Sequence, residues 1–218
     1  MRRKISFSIG YFYHIYNRGV EKRDIFIEDR DYIRFLRILS VFNNVERCRS
    51  SYRGPTSQKL VGVLCYCLMP NHFHLILTPL VENGIQKFMQ KVNTGYAMYF
   101  NEKYKRTGAL FEGRYKATII ETDSYFTYLT KYIHLNPLKL IYPEWKEKGI
   151  QNWKKACKFV ENYRWSSLTY YLKLKDFSAV LNSVLIKNHL EIERGESYGK
   201  FIFEVRPRKE DLCGIDRK

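Results

Sequence analysis

The chain has no run of roughly 20 apolar residues, the length a membrane-spanning helix needs. It also lacks the apolar block of a secretory leader. Met1-Arg2-Arg3-Lys4 is basic, but Ile5 to Tyr16 mixes aromatics with Ser, Gly and His. No membrane association and a cytoplasmic location are therefore expected. Cysteine is scarce and odd in number, five in 218 residues, which argues against a disulfide framework. Cys65 and Cys67, two apart in an apolar run, read as small residues on one face of a buried strand, and no second pair completes a structural zinc site. Internal repeats and low-complexity tracts are absent as well.

Acidic residues are few. Lys and Arg number 38 against 22 Asp and Glu, a formal charge of +16. Such an excess costs self-repulsion and suits a polyanionic partner. Aromatics make up 16% of the chain, with 18 tyrosines. Single-stranded nucleic acid asks for this mixture, since its phosphates need cations and its unstacked bases need flat platforms. With 45% hydrophobic residues the chain is globular and can form its core without covalent staples.

Periodicity gives a succession of elements. Tyr11 to Asn17 reads as a strand stopped by Asn17-Arg18-Gly19. Asp29 to Asn43 reads as a helix with Tyr32, Ile33, Leu36 and Leu39 on its apolar side. Arg47 to Gln58, rich in Arg and Ser, is expected to be a loop. Leu60 to Leu68 and His72 to Leu77 are strands joined by Met69-Pro70-Asn71, and Gly84 to Lys103 is a helix. Lys116 to Thr122 is a β-branched strand, and Asp123 and Ser124 offer N-cap chemistry to a helix ending near Asn136, before Pro137. This order is the split βαβ pattern of an α+β, ferredoxin-like antiparallel sheet with helices on one face, plus one further helix. The expected division is a catalytic domain over residues 1–140 and a helical extension with a polar tail over 141–218.

Two groups of residues could carry chemistry. His72 and His74 lie two apart on a strand, so both imidazoles face one way, about 6–7 Å apart along the backbone. They could converge on one metal ion or simply hydrogen-bond on the sheet face. Tyr128, Tyr132 and Asn136, four apart, form one helical stripe. A tyrosine stripe usually packs, but this one ends in an amide whose oxygen could be a third ligand, with Tyr132 one turn away.

These residues resemble a known family. Cys67-Leu68-Met69-Pro70-Asn71-His72-Phe73-His74-Leu75 is similar to the His-hydrophobic-His segment of single-tyrosine transposases, the HUH endonuclease group. Tyr132-Ile133-His134-Leu135-Asn136-Pro137 resembles the catalytic helix of the branch associated with repetitive extragenic palindromes (REP). Tyr13 to Gly19, Phe111 to Lys116 and Tyr163 to Ser167 match as well, so the resemblance runs from about Tyr11 to about Tyr171. Past about Asp176 it is loose.

The resemblance implies a transposase acting in DNA recombination, with Mg²⁺ or Mn²⁺ held by His72, His74 and Asn136. Tyr132 would attack single-stranded or hairpin-bearing DNA to form a 5′-phosphotyrosine. Arg18, Arg114, Tyr115 and Lys116, in segments with Gly-permitted turns, are candidate DNA contacts, and His134 is structural or DNA-contacting. The implied location is cytoplasmic and nucleoid-associated, as a monomer or homodimer. Two alternatives stand beside this reading. One is a catalytically silent DNA- or RNA-hairpin-binding protein on the same fold. The other is a zinc hydrolase using His72 and His74.

Overall fold

A computed structural model of the chain describes residues 6–45, 58–172, 179–190, 198 and 202. The basic start, the expected loop from Arg47 up to Gln58 and the polar tail from about Arg206 lie outside these residues. No helix among the described residues is long and apolar enough to cross a membrane.

Four strands form the sheet: β1 (Phe12–Arg18), β2 (Val61–Met69), β3 (His72–Pro79) and β4 (Lys116–Ile120), in the order β2-β3-β1-β4 with antiparallel neighbours throughout. Helices α1 (Asp29–Val41), α2 (Gly84–Lys103) and α3 (Asp123–Leu135) complete the expected succession. It is the ferredoxin-like arrangement in which a hairpin interrupts a βαβ unit.

Side-chain alternation divides the sheet into two faces. Tyr13, Ile15, Phe73 and Leu75 belong to the face covered by α1 and α2, where Phe35 of α1 meets Phe73 at a ring separation of 5.0 Å and Tyr96 of α2 at 4.9 Å. The two helices of the split βαβ pattern thus share one face. The additional helix α3 covers the other: Phe126 meets Phe12 at 5.0 Å, and Tyr132 lies edge-on to His74. Cys65 and Cys67 turn toward this second face, paired with Ile76 and His74. Both are buried free thiols, and burial raises their pKa values.

Local chemistry sets the helix ends. Asp31 closes a capping box with Glu28 at the start of α1, and its carboxylate also accepts from Lys103 (2.5 Å), Tyr99 (2.9 Å) and Tyr104 (2.7 Å). The apolar side of α1 is rotated from the expected one: Tyr32, Phe35, Ile38 and Leu39 are buried, while Ile33 is 51% exposed. Reading Ile33 and Leu36 as the inner stripe overlooked the pull of buried Asp31 toward α2. Gly84 opens α2 where a Cβ would come within 2.2 Å of the Leu60 carbonyl oxygen, so no larger residue fits without a shift of backbone. The N-cap of α3 is Thr122, one residue before the expected Asp123 and Ser124; its hydroxyl accepts from Tyr125 N at 3.2 Å.

Beyond residue 140 come short helices α4 (Trp145–Lys148), α5 (Trp153–Glu161), α6 (Leu168–Tyr171) and α7 (Ser183–Leu190). Between α5 and α6 the chain lies along β2: Leu68 N donates to Trp165 O and Ser167 N to Tyr66 O, both at 2.9 Å. The Tyr163 and Tyr171 hydroxyls donate to Leu68 O and Leu64 O, both at 2.6 Å, and the Trp165 ring stacks on Tyr32 of α1 at 4.5 Å. Trp165, Leu168 and Tyr171 therefore share the core of the sheet.

Candidate active site

The end of β1 and the β2–β3 turn together build a lip. Gly19 N donates to Asn71 O, and Ile25 N and Phe26 N both donate to Pro70 O. These bonds pin the two-residue turn Pro70-Asn71 and with it His72, the first residue of β3. Below the lip lies a cavity of about 300 Å³. His72 and His74 line it, their rings 5.0 Å apart and nearly perpendicular.

Strand β1 adds His14, Tyr16 and Arg18 to the same wall. The His14 and His74 rings lie edge to edge, their centres 5.1 Å apart and their planes 18° from parallel, with His14 Nε2 and His74 Nδ1 at hydrogen-bond distance, 2.9 Å. Burial pushes the His14 pKa down to about 3, so this imidazole is neutral at ordinary pH. His72 is tied on its outer side, where Nδ1 lies 2.6 Å from Asn71 Oδ1. Sequence reasoning assigned no role to His14 or Asn71. The available signal was the period-two succession His14, Tyr16, Arg18, which turns all three residues toward the histidine face of β3.

The rim is cationic. Arg18, Arg114, Lys116 and Lys139 line the cavity against the single carboxylate of Glu112. Arg18 donates to Glu112 Oε2 through Nε (2.8 Å) and Nη2 (2.6 Å), which holds the Glu112 pKa below the ordinary carboxylate range. Lys116 sits 6.0 Å from the ring centre of Tyr16. Of the candidate DNA contacts, Arg18, Arg114 and Lys116 therefore meet at one opening, whereas Tyr115 packs against the core and is absent from the cavity wall. Lys139, in the turn after α3, joins them without having been anticipated.

The stripe on α3 is brought up to the histidines from the side of the core. The Tyr132 ring centre lies 6.1 Å from that of His74, edge to face, and Tyr132 is 3% exposed. Asn136 is 1% exposed; its Nδ2 donates to Tyr132 O at 3.2 Å, and its Oδ1 is buried with no hydrogen-bond partner. Neither residue lines the cavity. His134 points elsewhere, its Nε2 lying 2.8 Å from Ser167 Oγ and 3.4 Å from Cys65 Sγ, and its Nδ1 2.8 Å from Tyr198 Oη. Fully buried and with its pKa pushed to about 3 by burial, His134 is a structural link between α3 and the C-terminal segment. Of its two expected roles, DNA contact is set aside.

A set of two imidazoles and one amide oxygen suits Mn²⁺, which tolerates imidazole, better than Mg²⁺, which prefers oxygen. Two imidazoles and the Asn136 amide oxygen on one ion would leave coordination positions for phosphate and water, and a buried amide oxygen lacking any partner is the kind of atom a cation satisfies. Among the described residues, no group of three His, Cys, Asp or Glu side chains is placed to hold a metal, which leaves the zinc-hydrolase alternative without a third donor of the usual kind.

The model of a family described as IS200-like transposases matches residues 13–136. Among solved structures, the chain is similar to a REP-associated tyrosine transposase determined bound to a REP hairpin, with a TM-score of 0.50 and 12% identity over 82% of this chain and 96% of that one. At that identity the likeness concerns the fold. Comparison by sequence with curated proteins gave no match.

Proposed function

The chain belongs to the IS200-like transposase family, and from that premise we propose that it is a metal-dependent endonuclease and strand transferase acting on single-stranded, hairpin-bearing DNA through a covalent tyrosine. The observation that carries this reading is the meeting of His72, His74 and Tyr132 beside one cation-rimmed cavity, with 6.1 Å between the His74 and Tyr132 rings.

In this reading His72, His74 and Asn136 hold Mg²⁺ or Mn²⁺. When bound, such an ion supplies electrostatic polarisation of a phosphodiester through a non-bridging oxygen. Arg18, Arg114, Lys116 and Lys139 hold the flanking phosphates and keep the strand extended across the opening. Tyr132 attacks phosphorus as its phenol, a weak nucleophile while protonated, gives up its proton. The bond from phosphorus to the leaving 3′-oxygen breaks, that oxygen takes a proton, and the 5′-phosphate remains on the tyrosine. A second 3′-hydroxyl can then attack the phosphotyrosine and expel the phenol. One phosphoester replaces another at each step, so no external energy source is required. The hairpin preference is inferred from the complex in which the similar structure was determined. The division near residue 140 into a catalytic part and a helical extension belongs to the same proposal, as does action on DNA in the cytoplasm.

A second reading, a hairpin-binding protein without turnover, is favoured by one observation: Tyr132 is 3% exposed and does not reach the cavity wall. Incubation with Mn²⁺ and a panel of hairpin-bearing oligonucleotides separates the two. The enzyme yields a protein–DNA adduct that survives denaturing gels, and Tyr132→Phe abolishes it while oligonucleotide binding persists. An adduct lost in Tyr128→Phe but kept in Tyr132→Phe would refute the assignment of the nucleophile. Tight binding with no adduct under any metal would favour the second reading.

A further inference from the structure

We propose that His14 is a positioning residue for His74: it accepts a hydrogen bond from Nδ1–H of His74 and so directs the unprotonated Nε2 of that ring to the divalent ion. This rests on the metal-site reading above and adds a residue to it. A ligating imidazole must offer a lone pair, and the hydrogen bond made by its other nitrogen decides which nitrogen has it.

For His72 the hydrogen-bond network settles that choice. Asn71 Nδ2 donates to Lys22 O at 3.2 Å, which identifies the amide's other end as the oxygen. That oxygen, Oδ1, lies 2.6 Å from His72 Nδ1 and can only accept. In its neutral, ligating form His72 therefore carries its proton on Nδ1 and its lone pair on Nε2.

His74 is tied through the same atom, but to a partner that could act either way. His14 Nε2 stands 2.9 Å from His74 Nδ1, the rings are 18° from parallel, and His14 is 2% exposed. The register explains the meeting, since His14 pairs with Ile76 and Tyr16 with His74, placing His14 diagonally across from His74 on one face. If His14 donated, His74 would carry its proton on Nε2 and could not ligate through that nitrogen. If His14 accepts, both candidate ligands present the same nitrogen and His14 keeps its own proton on Nδ1. The two rings, one anchored by an amide and the other by a buried imidazole, then form a matched pair.

The test begins with the full-length wild-type protein, ¹⁵N-labelled and metal-free, in long-range ¹H–¹⁵N correlation spectra of the histidine rings. The expected result is a protonated Nδ1 and a pyridine-like Nε2 at both His72 and His74. Mn²⁺ titrations followed by electron paramagnetic resonance come next. His14→Phe, which fills the space but cannot accept, should weaken Mn²⁺ binding by about 10–100-fold. His14→Gln, whose amide oxygen can accept, should recover part of the loss. A wild-type His74 protonated on Nε2 would overturn the proposal, whether or not the variants fold. So would a folded His14→Phe protein binding Mn²⁺ within twofold of wild type while His74→Ala loses it, and in that case the metal-site reading would stand. Equal Mn²⁺ binding by wild type and His74→Ala would overturn the metal-site reading itself, and His14's role with it.

Discussion

Asn136→Leu should make the protein more stable and less active. Asn136 is 1% exposed and its Oδ1 has no hydrogen-bond partner. An unsatisfied buried acceptor costs about 1–3 kcal/mol, which leucine removes while adding apolar burial of similar volume. Against this stands the loss of the Nδ2 bond to Tyr132 O at 3.2 Å, worth about 0.5–1.5 kcal/mol. The net expectation is a gain of about 1–2 kcal/mol. For a chain of this length that is a rise in Tm of roughly 2–8 °C by calorimetry. The same substitution removes the proposed third ligand, so adduct yield at limiting Mn²⁺ should fall at least about tenfold, as a lost ligand contact implies. A residue kept at a cost to stability is common where function needs it. If Asn136→Leu melts below the wild type, the amide is satisfied in solution and the argument for a cation there fails. If it melts higher but forms adduct normally, Asn136 is no ligand.

Further expectations follow from other parts of the structure. Asp31 should tie α1 to α2: its side chain is fully buried and accepts from Lys103, Tyr99, Tyr104 and the Ile27 and Glu28 backbones. Asp31→Asn turns one acceptor oxygen into a donor facing other donors and should cost about 3–5 kcal/mol in urea unfolding. Burial alone would raise the Asp31 pKa, but bonds from Lys103, Tyr104, Ile27 and Glu28 outweigh it and hold the pKa below its ordinary value of 3.8. Its carboxylate therefore contributes full stability above that value and loses it as pH falls through the lowered folded-state pKa, a loss that Asp31→Asn should not share. At the cavity rim, Arg114→Ala with Lys116→Ala should weaken binding of single-stranded oligonucleotides and lower the magnitude of the log K against log salt slope by about 0.7 per lost phosphate contact. An unchanged slope would place the strand elsewhere.

Much of the fold was legible because its signals are local. The α2 boundaries, the hairpin at Pro70-Asn71 and the alternation of β1 and β3 all follow from periodicity and turn chemistry. The side of α1 that is buried was not, because Asp31 is held by Lys103, Tyr99 and Tyr104, about 70 residues away. A carboxylate at 0% exposure contradicts the hydrophobic pattern until its partners are known. The same division runs through the site. His72 and His74 share a face by simple strand geometry, but Asn71's role depends on an amide orientation set by the Lys22 carbonyl, and His14's on cross-strand register. The motif Tyr163 to Ser167 stood out in the sequence without a reason. Its purpose is contact: Ser167 Oγ joins Tyr66 and His134, which links β2 to the helix carrying Tyr132.

The strip of chain around Trp165 has one more effect. A border strand with bare amides and carbonyls invites another polypeptide to join it, a common route to aggregation. Here Trp165 and Ser167 occupy hydrogen-bonding places along β2, and Asn182 N takes the Val63 carbonyl. The molecule hems its own sheet on that side; the opposite border strand is β4, close to the cavity mouth where Lys116 begins that strand.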